Sequence, residues 1–435
     1  MFKTIGISIV LLFLSVLQVQ GQKPDFVYYD SLTYHQYINK DYGALLKTGK
    51  EALHAGLDYY YLRMRMGIAA YQKKQYRVAA VHFEKALHFN DNDLVREYLY
   101  YAYLWGGEPL LAQESEKGMS SELQKKLKLK KKGLLSAEAV AAFLTRNGNV
   151  PDNFAIPDKE GLQVIPKQFY DATVSLRHKL GTKSQMTHVF TYLNKQNEKY
   201  YYTDNKHYFD PAYNTNQFQY YIGTFFSLNR SWGLHVNGQV SVLAMPEYTE
   251  TRGRMGYTYL VKTNAWQTDY VLSASVVKDF AFVSVEGGLA LVNIGNQAAW
   301  QPELLFRIYP FANLDLYTES GFFYQLRSGE AAFFQQQKIG GKLFRKLWLE
   351  GSYFSGGVSG FVLDNSVLLF NGPEEIKWMA GGKLIYMAGS RTKLTLGYQH
   401  RRQATWFVPV SNTETRSNKT SLNYSLFYIL VSWSF

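Results

Sequence analysis

Leu422 to Phe435 reads LNYSLFYILVSWSF, and its period decides the fold. Counting back by two from the last residue gives Phe435, Trp433, Val431, Ile429 and Phe427. An extended strand sends alternate side chains to opposite faces, so these five form one apolar face that ends in an aromatic. Ser432 and Ser434 stand between them, small and polar. Terminal residues fray into solvent unless something ties them down, so water would leave this face uncovered. A hydrocarbon environment requires it.

The same period recurs upstream. In Ser231 to Ala244, Trp232, Leu234, Val236, Val240 and Val242 point one way, and Ser231, His235, Asn237, Gln239 and Ser241 the other. Leu394, Leu396 and Tyr398 oppose Lys393, Thr395, Gln399 and Arg401, and Trp300, Leu304, Phe306 and Ile308 oppose Gln301, Glu303 and Arg307. Strands of this length with apolar and polar faces match a membrane barrel. Short turns are expected at 181–183, 229–230, 278–279, 311–312, 345–346 and 388–390. Longer polar loops are expected at 195–214, 245–263, 293–298, 326–330, 358–373 and 403–419. Phe169 to Leu180 runs into the first short turn, so a strand must precede it. Leu134 to Arg146 is the candidate, followed by the loop 147–167. The count is then fourteen strands, or twelve if the Ala-rich Leu134 to Arg146 is a helix. A soluble β-sandwich accommodates alternation and turns, but not these strand lengths together with the terminal aromatic face.

Composition points the same way. Aromatics make up 16% of the 435 residues, with 35 Tyr and 28 Phe, as expected where aromatic girdles mark two membrane interfaces. The net charge of +12 is scattered apart from Gln124 to Lys132 (QKKLKLKKK), which would lie near anionic head groups or be a solvated linker. No nucleic-acid partner is expected. Cysteine is absent, which excludes disulfides and thiolate metal sites. Met1 to Gly21 has the basic start, apolar run and small-residue end of a secretory signal. The expected domains are the signal peptide 1–21, a helical repeat domain 22–120, a basic linker 121–133 and a barrel 134–435.

Between about Asp41 and Gly118 the period becomes helical. Gly67, Tyr71, Tyr76, Ala79, Phe83, Ala86 and Leu87 occupy the small and large positions of a tetratricopeptide-type repeat. Gly67 and Ala79 are the contact points of two antiparallel helices, and Tyr76 plugs the turn between them. A shift of 34 residues pairs Tyr42 with Tyr76, Ala52 with Ala86 and Leu53 with Leu87, the expected period. His54, His82 and His88 make no metal site by spacing and read as surface residues.

The closing stretch resembles the last strand of bacterial outer-membrane barrels. That resemblance implies that Phe427, Ile429, Val431, Trp433 and Phe435 are read by the barrel assembly machinery. The layout of repeats followed by a barrel resembles the YaiO-type outer-membrane proteins of Gram-negative bacteria. It implies an outer-membrane location with the helical domain in the periplasm. No cofactor, metal or enzymatic activity is expected. The fragment Tyr317 to Gly321 lacks the His and Asn of the outer-membrane phospholipase pattern, so Ser320 reads as strand filler. His400, Arg401 and Arg402 lie near a loop mouth and read as a solvated strand end or a contact to lipid phosphates. The expected lumen residues Glu303, Arg307, Asp315, Glu319, Lys377, Lys383, Lys393 and Arg401 mix both signs, which favours pairing across the lumen over an ion-selective ring. Two functions follow. In one, the repeats bind a periplasmic protein or glycan and the barrel anchors them or exports surface polysaccharide or protein. In the other, the barrel is a porin-like solute channel with the repeats as accessory.

Overall fold

A computed structural model describes residues 25–129, 133–149, 161–203, 206–252, 258–409 and 417–435. The expected signal peptide lies outside these residues, as do parts of the basic run and of the loops 147–167, 195–214, 245–263 and 403–419. The chain divides into two compact units, Met1–Lys128 and Leu129–Phe435.

The first unit is helical: α1 Phe26–Ile38, α2 Tyr42–His54, α3 Tyr60–Gln72, α4 Tyr76–Phe89, α5 Asp93–Trp105, α6 Pro109–Ser115 and α7 Ser121–Lys126. Asp25, Asp41, Asn92 and Ser120 cap α1, α2, α5 and α7 by accepting a backbone N–H within the first turn. Consecutive helices from α1 to α6 pack on one another, and α3 also touches α1 and α5, so hairpins stack. At the α3–α4 contact, a Cβ on Gly67 would lie 2.5 Å from the Phe83 ring. Only hydrogen leaves room there. Ala79, Phe83 and Ala86 are fully buried, and Leu87 packs against their cluster. Tyr71 meets Tyr76 edge-on at 5.2 Å and Tyr98 at 5.8 Å.

Two expectations change here. Residues 121–126, expected in the linker, form α7, because Ser120 caps it and Leu123 is buried. His82, expected at the surface, is buried, because it shares the inner face of α4 with Ala79 and Ala86.

The second unit is a closed antiparallel barrel of fourteen strands. They are β1 Leu134–Arg146, β2 Gly161–Lys179, β3 Ser184–Thr203, β4 Lys206–Ser227, β5 Trp232–Arg252, β6 Thr258–Asp279, β7 Val283–Ile294, β8 Gln297–Ile308, β9 Leu316–Arg327, β10 Glu330–Phe344, β11 Leu347–Val358, β14 Glu375–Met387, β15 Thr392–Pro409 and β16 Ser417–Ser434. The short pair β12 Phe361–Leu363 and β13 Leu368–Phe370 stands apart from the wall. Leu134–Arg146 is a strand, paired to β2 on one side and β16 on the other, and it closes the ring. Its alanines favour helix on their own, but pairing to two open strand edges outweighs that preference.

Alternation is carried around the ring. Phe427, Ile429, Val431, Trp433 and Phe435 point outward and stay 43–50% exposed, and Trp232, Leu272, Trp300, Leu304, Ile339, Leu384 and Leu396 are exposed likewise. The inner rows carry the charges. The segments expected as loops at 195–214, 245–263 and 403–419 are largely continuations of the flanking strands, which keep pairing well past the apolar belt. Their Tyr, Thr and Val content sustains the ladder. The loops expected at 293–298 and 326–330 shrink to the two-residue turns Gly295–Asn296 and Ser328–Gly329. All four residues have φ between 50° and 83°, the geometry that matches strand twist in a tight hairpin.

Candidate functional site

The segment after β11, expected as a polar loop, folds into the barrel. Seven of the ten residues from Phe361 to Phe370 (FVLDNSVLLF) are apolar, and water would not hold such a run as an open loop. Phe361 stacks on Phe370 at 4.5 Å and Phe354 at 5.2 Å, and packs on Phe334 at 5.2 Å. Val362 packs on the other side with Val271, Ala290, Val292 and Ala299.

The wall also grips the hairpin by its main chain. Gln301 donates to the Val362 carbonyl at 2.8 Å and accepts from the Val362 N–H at 3.1 Å. Gln325 donates to the Gly360 carbonyl at 2.7 Å. At the tip, Asp364, Asn365 and Ser366 all have positive φ, an uncommon backbone for residues other than glycine. Three contacts hold it: Lys338 to Asp364 at 2.6 Å, Ser275 to Asn365 at 3.3 Å and Ser366 to Ser273 at 2.9 Å. At the far end Asn371 donates to Asp269 at 2.8 Å, and Glu374 pairs with Lys195.

Below the tip lies an ionic network. Arg307 reaches Glu286 at 2.9 Å and Glu319 at 2.5 Å, while Lys338 reaches Glu319 at 3.0 Å. Arg307, Glu319 and Glu303 were expected in the lumen and share this inner wall. Glu303 makes no hydrogen bond or ion pair among the described residues, although it lies within reach of these charges. Lys383 pairs with Glu350 at 2.7 Å, and Lys393 stands 4.0 Å from Glu138. Asp315 precedes β9 at the rim, 3.5 Å from Lys342.

Lys377 does not stand in the inner row. A bulge between Ile376 and Trp378 takes it out of the alternation, and it pairs with Glu375 at 2.5 Å. Arg401 faces inward, whereas Arg402 pairs with the outward Trp378, so the expected His400–Arg401–Arg402 cluster is divided by the wall. Sequence reading missed Glu286, Lys338 and the hairpin. For the first two the signal was alternation on β7 and β10; for the hairpin it was the apolar run itself.

The helical unit presents a second arrangement. Arg65 lies over the exposed rings of Tyr34 at 5.2 Å and Tyr61 at 5.9 Å, while Asp30 holds it at 2.7 Å. Nearby, Arg63 is gripped through two 2.6 Å bonds by Asp58 and donates to His82 Nδ1 at 3.2 Å. A guanidinium only donates, so that nitrogen carries no proton. Burial, then the charge of Arg63, push the His82 pKa down to about 4.

No family model and no curated protein matches this chain. Among solved structures, a Pseudomonas aeruginosa FadL homologue aligns with TM-score 0.42 and 10% identity, over 70% of this chain and 91% of that one. The deltaS2S3 mutant of the TodX monoaromatic hydrocarbon channel gives 0.43 and 8%, over 71% and 91%. The KdgM porin in complex with disordered oligogalacturonate gives 0.29 and 9%, over 69% and 99%. Likenesses this distant carry no argument about what this barrel does.

Proposed function

We propose that the chain is an integral outer-membrane barrel that holds its helical repeats in the periplasm as a partner-binding module, and that it is not a standing pore. The observation that carries this reading is the hairpin seated in the lumen, fixed by main-chain bonds from Gln301 and Gln325 and by Phe361. The outward apolar rows and inward charges support the membrane location, since only a closed barrel satisfies every strand's backbone in hydrocarbon. Lipid covers the outer face, and the assembly machinery reads the terminal strand. Stacked hairpins of tetratricopeptide type present exposed Tyr34 and Tyr61, with the largely covered Arg65 against their rings, to a periplasmic protein or glycan. Through that grip the barrel anchors or exports surface material.

A gated solute channel is the second reading. It is favoured by the polar tethers at Asp364, Ser366 and Asn371, which water can replace if the hairpin swings out. Full-length protein in planar bilayers separates the two. The first reading expects no steady conductance, together with loss of a crosslinked periplasmic partner when Tyr61 and Arg65 are changed to Ala. Stable ion-sized steps with no such partner would favour the channel. Release of the protein by osmotic shock would overturn both.

A further inference from the structure

Arg401 is a buried cation without a polar partner among the described residues. Its exposure is 7%, it faces the inside of the wall opposite Met379 and Tyr424, and no ion pair or hydrogen bond to it exists among the described residues. Its one contact of note is the Phe169 ring, 5.4 Å from the guanidinium carbon. Neighbouring inner-wall cations are engaged: Arg146 by Glu198 at 2.8 Å, and Lys195 by Glu374. Glu374 is the carboxylate whose field reaches Arg401, but Lys195 already holds it. Among the described residues three cations therefore face two carboxylates, and the uncompensated charge sits on Arg401. A buried charge is costly unless paired.

The next inward residue on β15 is Gln403, also buried, and its Oε1 accepts nothing. Residues two apart on a strand share a face about 7 Å apart. The wall thus presents an unanswered donor fork and an unanswered acceptor side by side. Carboxylates and phosphates fit the fork through paired charge-assisted bonds. A ligand that also carries a donor answers Gln403, and a hydroxyl is the most compact one. We infer that Arg401 and Gln403 form a lumenal subsite for a small hydroxylated oxyanion, either a hydroxycarboxylate or a phosphate bearing a proton.

The test uses the full chain in detergent micelles at low chloride, titrated calorimetrically with glycolate, acetate and inorganic phosphate. Glycolate and acetate share a charge and differ by the hydroxyl. The expected result is saturable binding of glycolate, phosphate or both, with acetate roughly 2- to 10-fold weaker. Binding of glycolate alone would identify the hydroxycarboxylate, and binding of phosphate alone the protonated phosphate. Arg401→Met should weaken binding roughly 10- to 100-fold. Gln403→Leu should bring glycolate to the acetate level and leave acetate unchanged. Heat-dependent gel mobility verifies that each variant forms a barrel. As a second readout, Arg401→Met without ligand should melt above wild type, and saturating ligand should close that gap. No saturable binding by wild type, or binding unchanged in Arg401→Met, overturns the site. Acetate binding as tightly as glycolate overturns the role of Gln403.

Discussion

Replacing Phe361 by alanine should loosen the lumen hairpin. The ring is fully buried between Phe334, Phe354 and Phe370. Truncating a buried phenylalanine costs about 3–5 kcal/mol, and here that cost falls on the seated hairpin, because a displaced hairpin leaves the ring in water in any case. At 1.4 kcal/mol per tenfold, the ratio of displaced to seated hairpin rises by roughly two to three and a half orders of magnitude. Gln301→Leu acts on the same equilibrium differently. It strands a buried N–H and a buried C=O on Val362, at about 1–3 kcal/mol each. The assay is single-channel recording of reconstituted full-length protein. Wild type should be silent or open rarely, with openings more frequent in either variant and most frequent in the double variant. Deleting 360–371 should give a permanently open barrel. Wild type conducting steadily, with step size and open time equal to those of the deletion, would refute the argument.

Three further outcomes are expected. Changing Phe435 to Asp should reduce heat-modifiable barrel in outer membranes severalfold, whereas Thr420→Asp at the other end of β16 should not; equal losses would contradict a signal role for the terminal row. Stability of the helical unit should fall as pH drops from 6.5 to 4, because the unfolded chain binds a proton to His82 that the folded chain refuses, a penalty that is absent above this window and reaches about 3 kcal/mol below it. Melting followed by helical circular dichroism at pH 7.5 and 4.5 checks this, and His82→Gln should flatten the difference. Gly67→Val should destabilise the same unit by roughly 1–3 kcal/mol, since its Cβ would fall 2.5 Å from Phe83; a melt unchanged from wild type would contradict the close contact.

Period carried most of what could be read from the chain. Alternation at Trp232–Val242 and Leu394–Arg401 is enforced locally by the strand, and the Gly67–Phe83 pairing by the spacing of one helical hairpin, so both were visible. Strand ends were not. The extensions of β3 to β6 rest on pairing with neighbours, and residues such as Thr and Tyr suit loop and strand alike. The hairpin was missed because polarity was assumed for a long connection, although Phe361 to Phe370 is as apolar as a strand. The six-residue spacing of His82 and His88 makes no site and suggests surface histidines, whereas the α4 face that His82 shares with Ala79 and Ala86 is the inner one. Arg401 was expected in the lumen, but its lack of a partner depends on where Glu374 and Lys195 meet, which no local pattern encodes.

Gln301 and Gln325 hold the hairpin by the amide and carbonyls of Val362 and Gly360, groups that every residue other than proline possesses. This part of the seat is therefore indifferent to side chains, unlike the Phe361 ring contacts and the polar tethers at 364–366 that add to it. Residues on the tip can change without loosening that grip, provided a bulky apolar group remains at 361. A lineage carrying this barrel can retune what its lumen meets while keeping it shut, and the variation should collect at 364–367 with the two glutamines left alone.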